Sequence, residues 1–192
     1  MTKPILELRH VVTKVNRNTP EELTLLKDLN LTINEGDFIT ILGSNGAGKS
    51  TLFNTIAGNL TIDSGDILLR GESIANESEE RRTRFLSRVF QDPKLGTAPR
   101  MTVAENLLLA TKRGEHRHLA PRHLNQHMAE FKEMTSGMGN GLNERLTTPT
   151  GSLSGGQRQA LSFLMATLKK PDILLLDEHT AALDPKTSQE LM

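Results

Sequence analysis

The sequence predicts an α/β fold: an antiparallel β-rich N-terminal part, a parallel-sheet core, and a helical region inserted into that core. Three observations carry this. "FITIL" at 38–42 and "ILLL" at 173–176 are short continuous apolar runs, the pattern of parallel strands buried on both faces. "DLNLTIN" at 28–34 alternates, with Leu29, Leu31 and Ile33 on one face and Asn30 and Thr32 on the other, as a half-buried antiparallel strand does. Residues 92–150 contain no strand pattern, although strands precede and follow them. The expected organisation is one domain, with 1–91 and 151–192 forming the β-subdomain plus core and 92–150 a helical subdomain that ends at "LSGGQ".

The elements follow in order. "ILELRHVV" at 5–12 reads as a strand, followed by a polar loop containing Pro20. "NEGD" at 34–37 turns the alternating strand into "FITIL". A glycine-rich loop then opens a helix from Lys49 to Ala57, which Gly58 ends. "IDSGDILLRGESI" is turn, short strand, turn, and a charged helix over 77–87 leads to a short strand in "RVFQDP" that Pro93 ends. Thr102 and Glu105 form a capping-box pattern for a helix through "VAENLLLATK". A second helix is expected from Pro121 to Thr135, and "SGMGNG" breaks it. Ser154 is a good N-cap for a helix whose Leu161, Leu164, Met165 and Leu168 share a face. Asp184 and Pro185 open a last helix.

Composition narrows the function classes. Lys plus Arg and Asp plus Glu number 23 each, so no net field draws the chain to nucleic acid. Six Phe with no Tyr or Trp weigh against single-strand binding by stacking platforms. No apolar run reaches the roughly 20 residues that cross a bilayer, and "MTKPILELRH" lacks the apolar core of a signal peptide. With no Cys there is no disulfide framework or thiolate metal site, which fits a reducing cytoplasm.

"GSNGAGKS" fits G-x-x-x-x-G-K-[ST] at Gly43, Gly48, Lys49 and Ser50. Glycines let backbone N–H groups curl around a phosphate, and the helix N-terminus adds about half a positive charge. Lys49 suits the β- and γ-phosphates and the Ser50 hydroxyl suits Mg²⁺. The loop alone leaves kinases, GTPases and transport ATPases open. "ILLLDE" places Asp177 and Glu178 at the carboxyl end of a buried strand, where ligands of parallel sheets bind. An Asp there can hold Mg²⁺, and the adjacent Glu can polarise an attacking water. "LSGGQRQAL" opens a helix with two glycines costing about 1 kcal/mol each relative to alanine, and so makes a second exposed anion-binding helix end.

In order and spacing, Gly43–Thr51, Gln91, Leu153–Gln157, Ile173–Glu178 and Leu183–Asp184 resemble the Walker A, Q-loop, signature, Walker B and D-loop of ATP-binding cassette (ABC) ATPases. The resemblance covers nearly the whole chain. It implies a P-loop NTPase (RecA-like) core with an N-terminal antiparallel β-subdomain and an inserted α-helical subdomain. It also implies ATP and Mg²⁺ as cofactors. Gly43, Ser44, Asn45, Gly46, Ala47, Gly48, Lys49, Ser50 and Thr51 would hold the phosphates, with Ser50, Gln91 and Asp177 on the metal. Glu178, Gln91 and Lys49 would be catalytic. Two cassettes of this family pair head to tail, so Ser154, Gly155, Gly156 and Gln157 would complete the nucleotide site of a second copy, and Asp184 would cross the interface. Implied partners are that second cassette (a homodimer), a transmembrane permease and, indirectly, a solute-binding protein, with no nucleic acid. The implied location is cytoplasmic, peripheral on the inner face of the membrane. "VFQDP", "LSGGQRQALSFLMATL" and "LLLDEHTAALDPKT" resemble bacterial importer-type cassettes serving aromatic amino acid or nucleoside-like solutes.

The chain departs from the family pattern in two places. Val15 stands where the family stacks an aromatic residue on adenine, so base selectivity is expected to be weaker; His10 is an alternative platform. Met192 comes before the strand and switch histidine that follow the D-loop helix in the family, and His179 does not replace that histidine. A truncated nucleotide-binding module with little or no hydrolysis is therefore one alternative. A non-transport ABC ATPase acting on nucleic acid or the ribosome is the other, disfavoured by the balanced charge and single cassette. His123 and His127 have the i,i+4 spacing of a zinc face, with His116 and His118 nearby. Arg113, Arg117 and Arg122 beside them favour a polar surface instead.

Overall fold

The computed structural model describes residues 3–44, 46–115 and 121–177. The chain forms two compact units, Met1–Thr83 and Arg84–Met192. This cut differs from the one expected at 92 and 150. The expected helix at Asp184 lies outside the described residues.

In the first unit the strands stand in the order β2-β1-β3-β4, all antiparallel. β1 is Pro4–Val15, β2 Leu23–Asn34, β3 Ser64–Leu69 and β4 Glu72–Ser73. The first two are longer than the patterns at 5–12 and 28–34, because each extends the other's ladder to Val15↔Leu23. The alternation in β2 holds: Leu29, Leu31 and Ile33 are half-buried, while Asn30 and Thr32 are exposed. Leu6, Leu8 and Val11 of β1 and Ile67 of β3 form the buried layer.

Helix α1, Lys49–Ala57, has the expected bounds, with Gly58 at φ 86° as its C-cap. Leu52 and Ile56 are buried, and the Thr13 and Thr55 hydroxyls meet at 3.5 Å between β1 and α1. "FITIL" is not a strand. Phe38 and Leu42 are 90% and 88% exposed, and among the described residues no strand pairs with 38–42. A doubly buried parallel strand needs hydrogen-bonded neighbours that an apolar run cannot itself supply.

The charged helix expected over 77–87 shrinks to α2, Glu79–Arg82, capped by the Ser78 hydroxyl, which accepts from the Arg81 amide at 3.4 Å. Arg82 is the core of this corner. It is 2% exposed, and its guanidinium donates to the carbonyls of Thr55, Ile56, Ile74, Ala75 and Glu77 at 2.7–3.2 Å. Burial lowers its pKa. Peptide oxygens satisfy its donors, and the charge of Glu77 opposes the effect of burial.

The second unit pairs β5, Leu86–Val89, with β6, Ile173–Leu176, in parallel register from Leu86↔Ile173 to Val89↔Leu176. This pairing ends the expected helix early and moves the expected "RVFQDP" strand toward the N-terminus. In β6, Ile173 and Leu175 are buried while Leu174 and Leu176 are half-buried, a one-sided pattern where a fully buried strand was expected. Helices α3 (Val103–Thr111), α4 (Leu124–Ser136) and α5 (Gly155–Thr167) share an apolar core that includes Val103, Leu107, Phe131, Leu142 and Leu161. α4 starts three residues later than expected, with His123 at φ 47° before it. The Thr102–Glu105 capping box is present, and hydrogen bonds from Thr102 hold the Glu105 carboxyl below its usual pKa. Between β5 and β6 the described residues hold no strand, only an isolated bridge Thr102↔Pro149.

Replacing Arg82 by Met keeps the aliphatic stem but removes the donor to five carbonyls of this buried corner. Chemical denaturation is expected to register a loss of about 3 kcal/mol or more, and Arg82→Lys, which lacks the planar fork, should not restore it.

Candidate nucleotide-binding site

The phosphate loop lies in the first unit. Gly43, Ser44, Gly46, Ala47 and Ser50 are exposed, while Gly48, Lys49 and Thr51 are half-buried. The Ala47 amide donates to the Ser44 carbonyl at 3.1 Å, closing a turn inside the loop. Gly48 is the N-cap of α1 at φ 91°, a left-handed conformation costly for residues with a Cβ. Glycine has no side chain with which to cap, so no side-chain hydrogen bond satisfies the first turn of α1, and no acidic residue lies in that turn. Lys49 Nζ donates to the carbonyls of Gly43 at 2.6 Å and Ser44 at 3.1 Å. The ammonium is thus folded over the loop whose amides a phosphate would meet. Asn45 lies outside the described residues.

Val15 ends β1 half-buried opposite Leu23, which is 56% exposed. His10 carries φ 51°, and its Nδ1 contacts Asp28 at 2.7 Å, a structural role at the β1–β2 bulge.

The signature motif lies in the second unit. Ser154 is the N-cap of α5, and a reciprocal capping box joins it to Gln157. The Ser154 hydroxyl accepts from the Gln157 amide at 3.2 Å, and the Gln157 side-chain oxygen accepts from the Ser154 amide at 3.3 Å. Gln157 Nε2 also donates to the Asn140 carbonyl at 3.0 Å. Ser154, Gly155 and Gly156 are exposed, and a Cβ built on either glycine would meet nothing within 4 Å. Nothing among the described residues therefore requires glycine at either position.

Sequence reasoning missed the buried Arg158, which donates to the carbonyls of Thr150, Gly151 and Leu153 at 2.9–3.3 Å and fixes the turn that delivers Ser154. It also missed Asn106, fully buried, which bonds Ala98, Met101 and Thr102 and so ties the preceding loop to α3. The polar residue inside an apolar helical stripe was the available signal for Asn106.

Asp177 follows β6, and its carboxylate accepts from Arg88 Nη2 at 2.8 Å. Gln91 is exposed, two residues past the end of β5. Glu178 and Asp184 lie outside the described residues. His127 stacks on Phe131 with ring centroids 5.6 Å apart and contacts Glu130 at 3.2 Å, while His123 precedes α4. His116 and His118 also lie outside the described residues.

A glycine-opened helix carrying Lys-Ser, a second exposed glycine-opened helix, and an Asp ending a parallel strand are the parts of a cassette ATPase. Comparison with known proteins agrees. The sequence profile of the family described as ABC transporter matches residues 26–181. The chain belongs to the ABC transporter family. It is 44% identical over 188 residues to the tyrosine transport ATP-binding protein of Clostridioides difficile, spanning 98% of this chain and 74% of that protein. It is 38% identical to the spermidine/putrescine import ATP-binding protein PotA of Aggregatibacter actinomycetemcomitans, spanning 98% of this chain but 46% of that protein. In three dimensions it resembles a dimeric ABC cassette in a post-hydrolysis state bound to ADP and Pi, with TM-score 0.77, 26% identity, and coverage of 97% of this chain and 79% of that one. A second solved ABC transporter cassette gives TM-score 0.74 at 26% identity, with 100% and 74% coverage. The chain thus has the P-loop NTPase fold of ABC ATPases, as its motifs imply. No helix among the described residues is long and apolar enough to cross a membrane.

Gly155→Ala and Gly156→Ala have room and no strained φ to oppose them. Each is expected to raise the thermal stability of the isolated protein by roughly 0.5–1 kcal/mol, readable by calorimetry.

Proposed function

We propose that this ABC ATPase binds MgATP between two copies arranged head to tail and couples its hydrolysis to import of a small solute through a membrane permease. The observation that carries the shared site is the pair of signature glycines. Two adjacent glycines in the first turn of α5 cost stability, and nothing within 4 Å requires them. Their use is then the close approach of a ligand from outside, onto amides at a helix N-terminus already fixed by the Ser154–Gln157 box.

In this reading Gly43, Ser44, Asn45, Gly46, Ala47, Gly48, Lys49, Ser50 and Thr51 bind the phosphates, and Ser154, Gly155, Gly156 and Gln157 close the site of the second copy. Ser50, Gln91 and Asp177 hold Mg²⁺, and a hydroxyl, an amide oxygen and a carboxylate are the hard donors that ion takes. When bound, the metal neutralises charge developing on the β- and γ-phosphates. Glu178 activates the water, and Lys49 exchanges the Gly43 and Ser44 carbonyls for phosphate oxygens. Residues 92–150 form the helical subdomain, and the chain acts at the inner face of the membrane, held there by the permease. Relatives named for tyrosine and for spermidine/putrescine both match 98% of this chain, as expected if the cassette never touches the solute.

Lys49→Ala removes one half of the shared site and Ser154→Arg blocks the other. Each variant alone should lose ATPase activity. A one-to-one mixture should recover about a quarter of the original rate, because half of randomly formed dimers carry one intact site. No recovery, with both variants still dimeric, would sink the head-to-tail arrangement.

A further inference from the structure

We propose that Arg88 is a resident counter-cation for Asp177: it occupies the carboxylate that Mg²⁺ needs and yields it only to the metal. The inference rests on the reading of Asp177 as a Mg²⁺ ligand. It begins with strand register. Arg88 on β5 pairs with Leu175 on β6, so Asp177 is its diagonal neighbour two residues on, within reach of a long side chain. The Asp177 amide donates to the Val89 carbonyl at 3.1 Å, which ties the backbone carrying the carboxylate to β5. The two side chains then meet at 2.8 Å, Nη2 to Oδ2.

The pair is sheltered. Its side chains are 11% and 14% exposed, against 41% and 22% for the surface pair Arg17–Asp63. On its other side the Arg88 guanidinium lies 4.8 Å from the centre of the Phe90 ring, which fixes its position further. A sheltered charge-assisted bond between a fixed arginine and a carboxylate is not a casual surface contact. A metal ion that takes the same oxygens has to displace the guanidinium.

Metal binding at Asp177 is therefore an exchange of Arg88 for Mg²⁺, and the apparent Mg²⁺ affinity is lowered by the stability of the pair. Arg88 stands three residues before Gln91 on the same segment, so its release would act on the strand end that leads to Gln91. Arg88 is thus a positioning residue that sets the Mg²⁺ threshold of nucleotide binding.

The test titrates Mg²⁺ into the 192-residue protein with N-methylanthraniloyl-ATP, starting in EDTA, and reads the Mg²⁺ concentration giving half of the metal-induced fluorescence change. Arg88→Met should lower that concentration about two- to fivefold, the loss of one ion pair of ordinary net strength. Arg88→Lys, which keeps the charge, should stay near the original value. If Arg88→Met does not fold, Arg88→Gln carries the same expectation. Asp177→Asn serves the underlying reading and should abolish the Mg²⁺-induced change. An unchanged or raised half-saturation in the uncharged Arg88 variants, with Asp177→Asn metal-insensitive, would overturn the role of Arg88. A full Mg²⁺ response in Asp177→Asn would overturn the metal assignment itself.

Discussion

Helix α1 is fastened at one end only, and the chemistry of the phosphate loop depends on that asymmetry. At its C-terminus, Gly58 turns the chain and the buried Arg82 donates to the last carbonyls, Thr55 and Ile56. A cation at that end also complements the helix dipole. At its N-terminus, Gly48 offers no capping side chain, so the first-turn amides stay available to an anion. Most helices settle these donors with Ser, Thr, Asp or Asn. Here the stability forgone at the open end is recovered at the closed one, outside the site, and a phosphate can approach the loop without displacing a side-chain cap.

Helix α5 solves the same problem differently. Its cap is complete, since Ser154 and Gln157 satisfy each other's backbone donors, and Arg158 pins the preceding turn. The frame is therefore rigid, while the glycines inside it face open space. Such a frame is preorganised for an anion at the helix end, because little ordering remains to be done on binding. The two glycine-opened helices lie in separate units.

What the sequence made legible was governed by short-range rules. α1 appeared at its expected bounds because Gly48 and Gly58 punctuate it, and α3 and α5 because Thr102 and Ser154 cap them. Ser154 and Gln157 even spell a capping box, a signal present in the sequence but unused. The failures are long-range. Residues 38–42 read as a buried strand from hydrophobicity alone, which says nothing of which strands would flank it. The charge run at 77–87 read as one helix because nothing local reveals that Leu86 will pair with Ile173. The buried roles of Arg82 and Arg158 were not legible, since a sequence does not disclose that backbone carbonyls will gather around a guanidinium. In the site, the glycine, Lys and Ser pattern was legible, but the partner of Asp177, on a strand far away in sequence, was not.

The partners that Lys49 and Asp177 keep decide how each responds to nucleotide. Lys49 is bound to two neutral carbonyls of its own loop, and exchanging them for phosphate oxygens replaces neutral acceptors by charged ones, a clear gain. Asp177 is bound to a full positive charge, so exchanging Arg88 for Mg²⁺ trades one charged partner for another, with a much smaller net return. If both groups bind as proposed, phosphate capture would be favoured at Lys49 and metal capture at Asp177 held near balance. On the proposed reading of Asp177 as a metal ligand, the triphosphate would bind through the loop first and the metal would enter against the Arg88 pair. On that same reading, commitment to hydrolysis would depend on the stronger field of the divalent ion rather than on nucleotide alone.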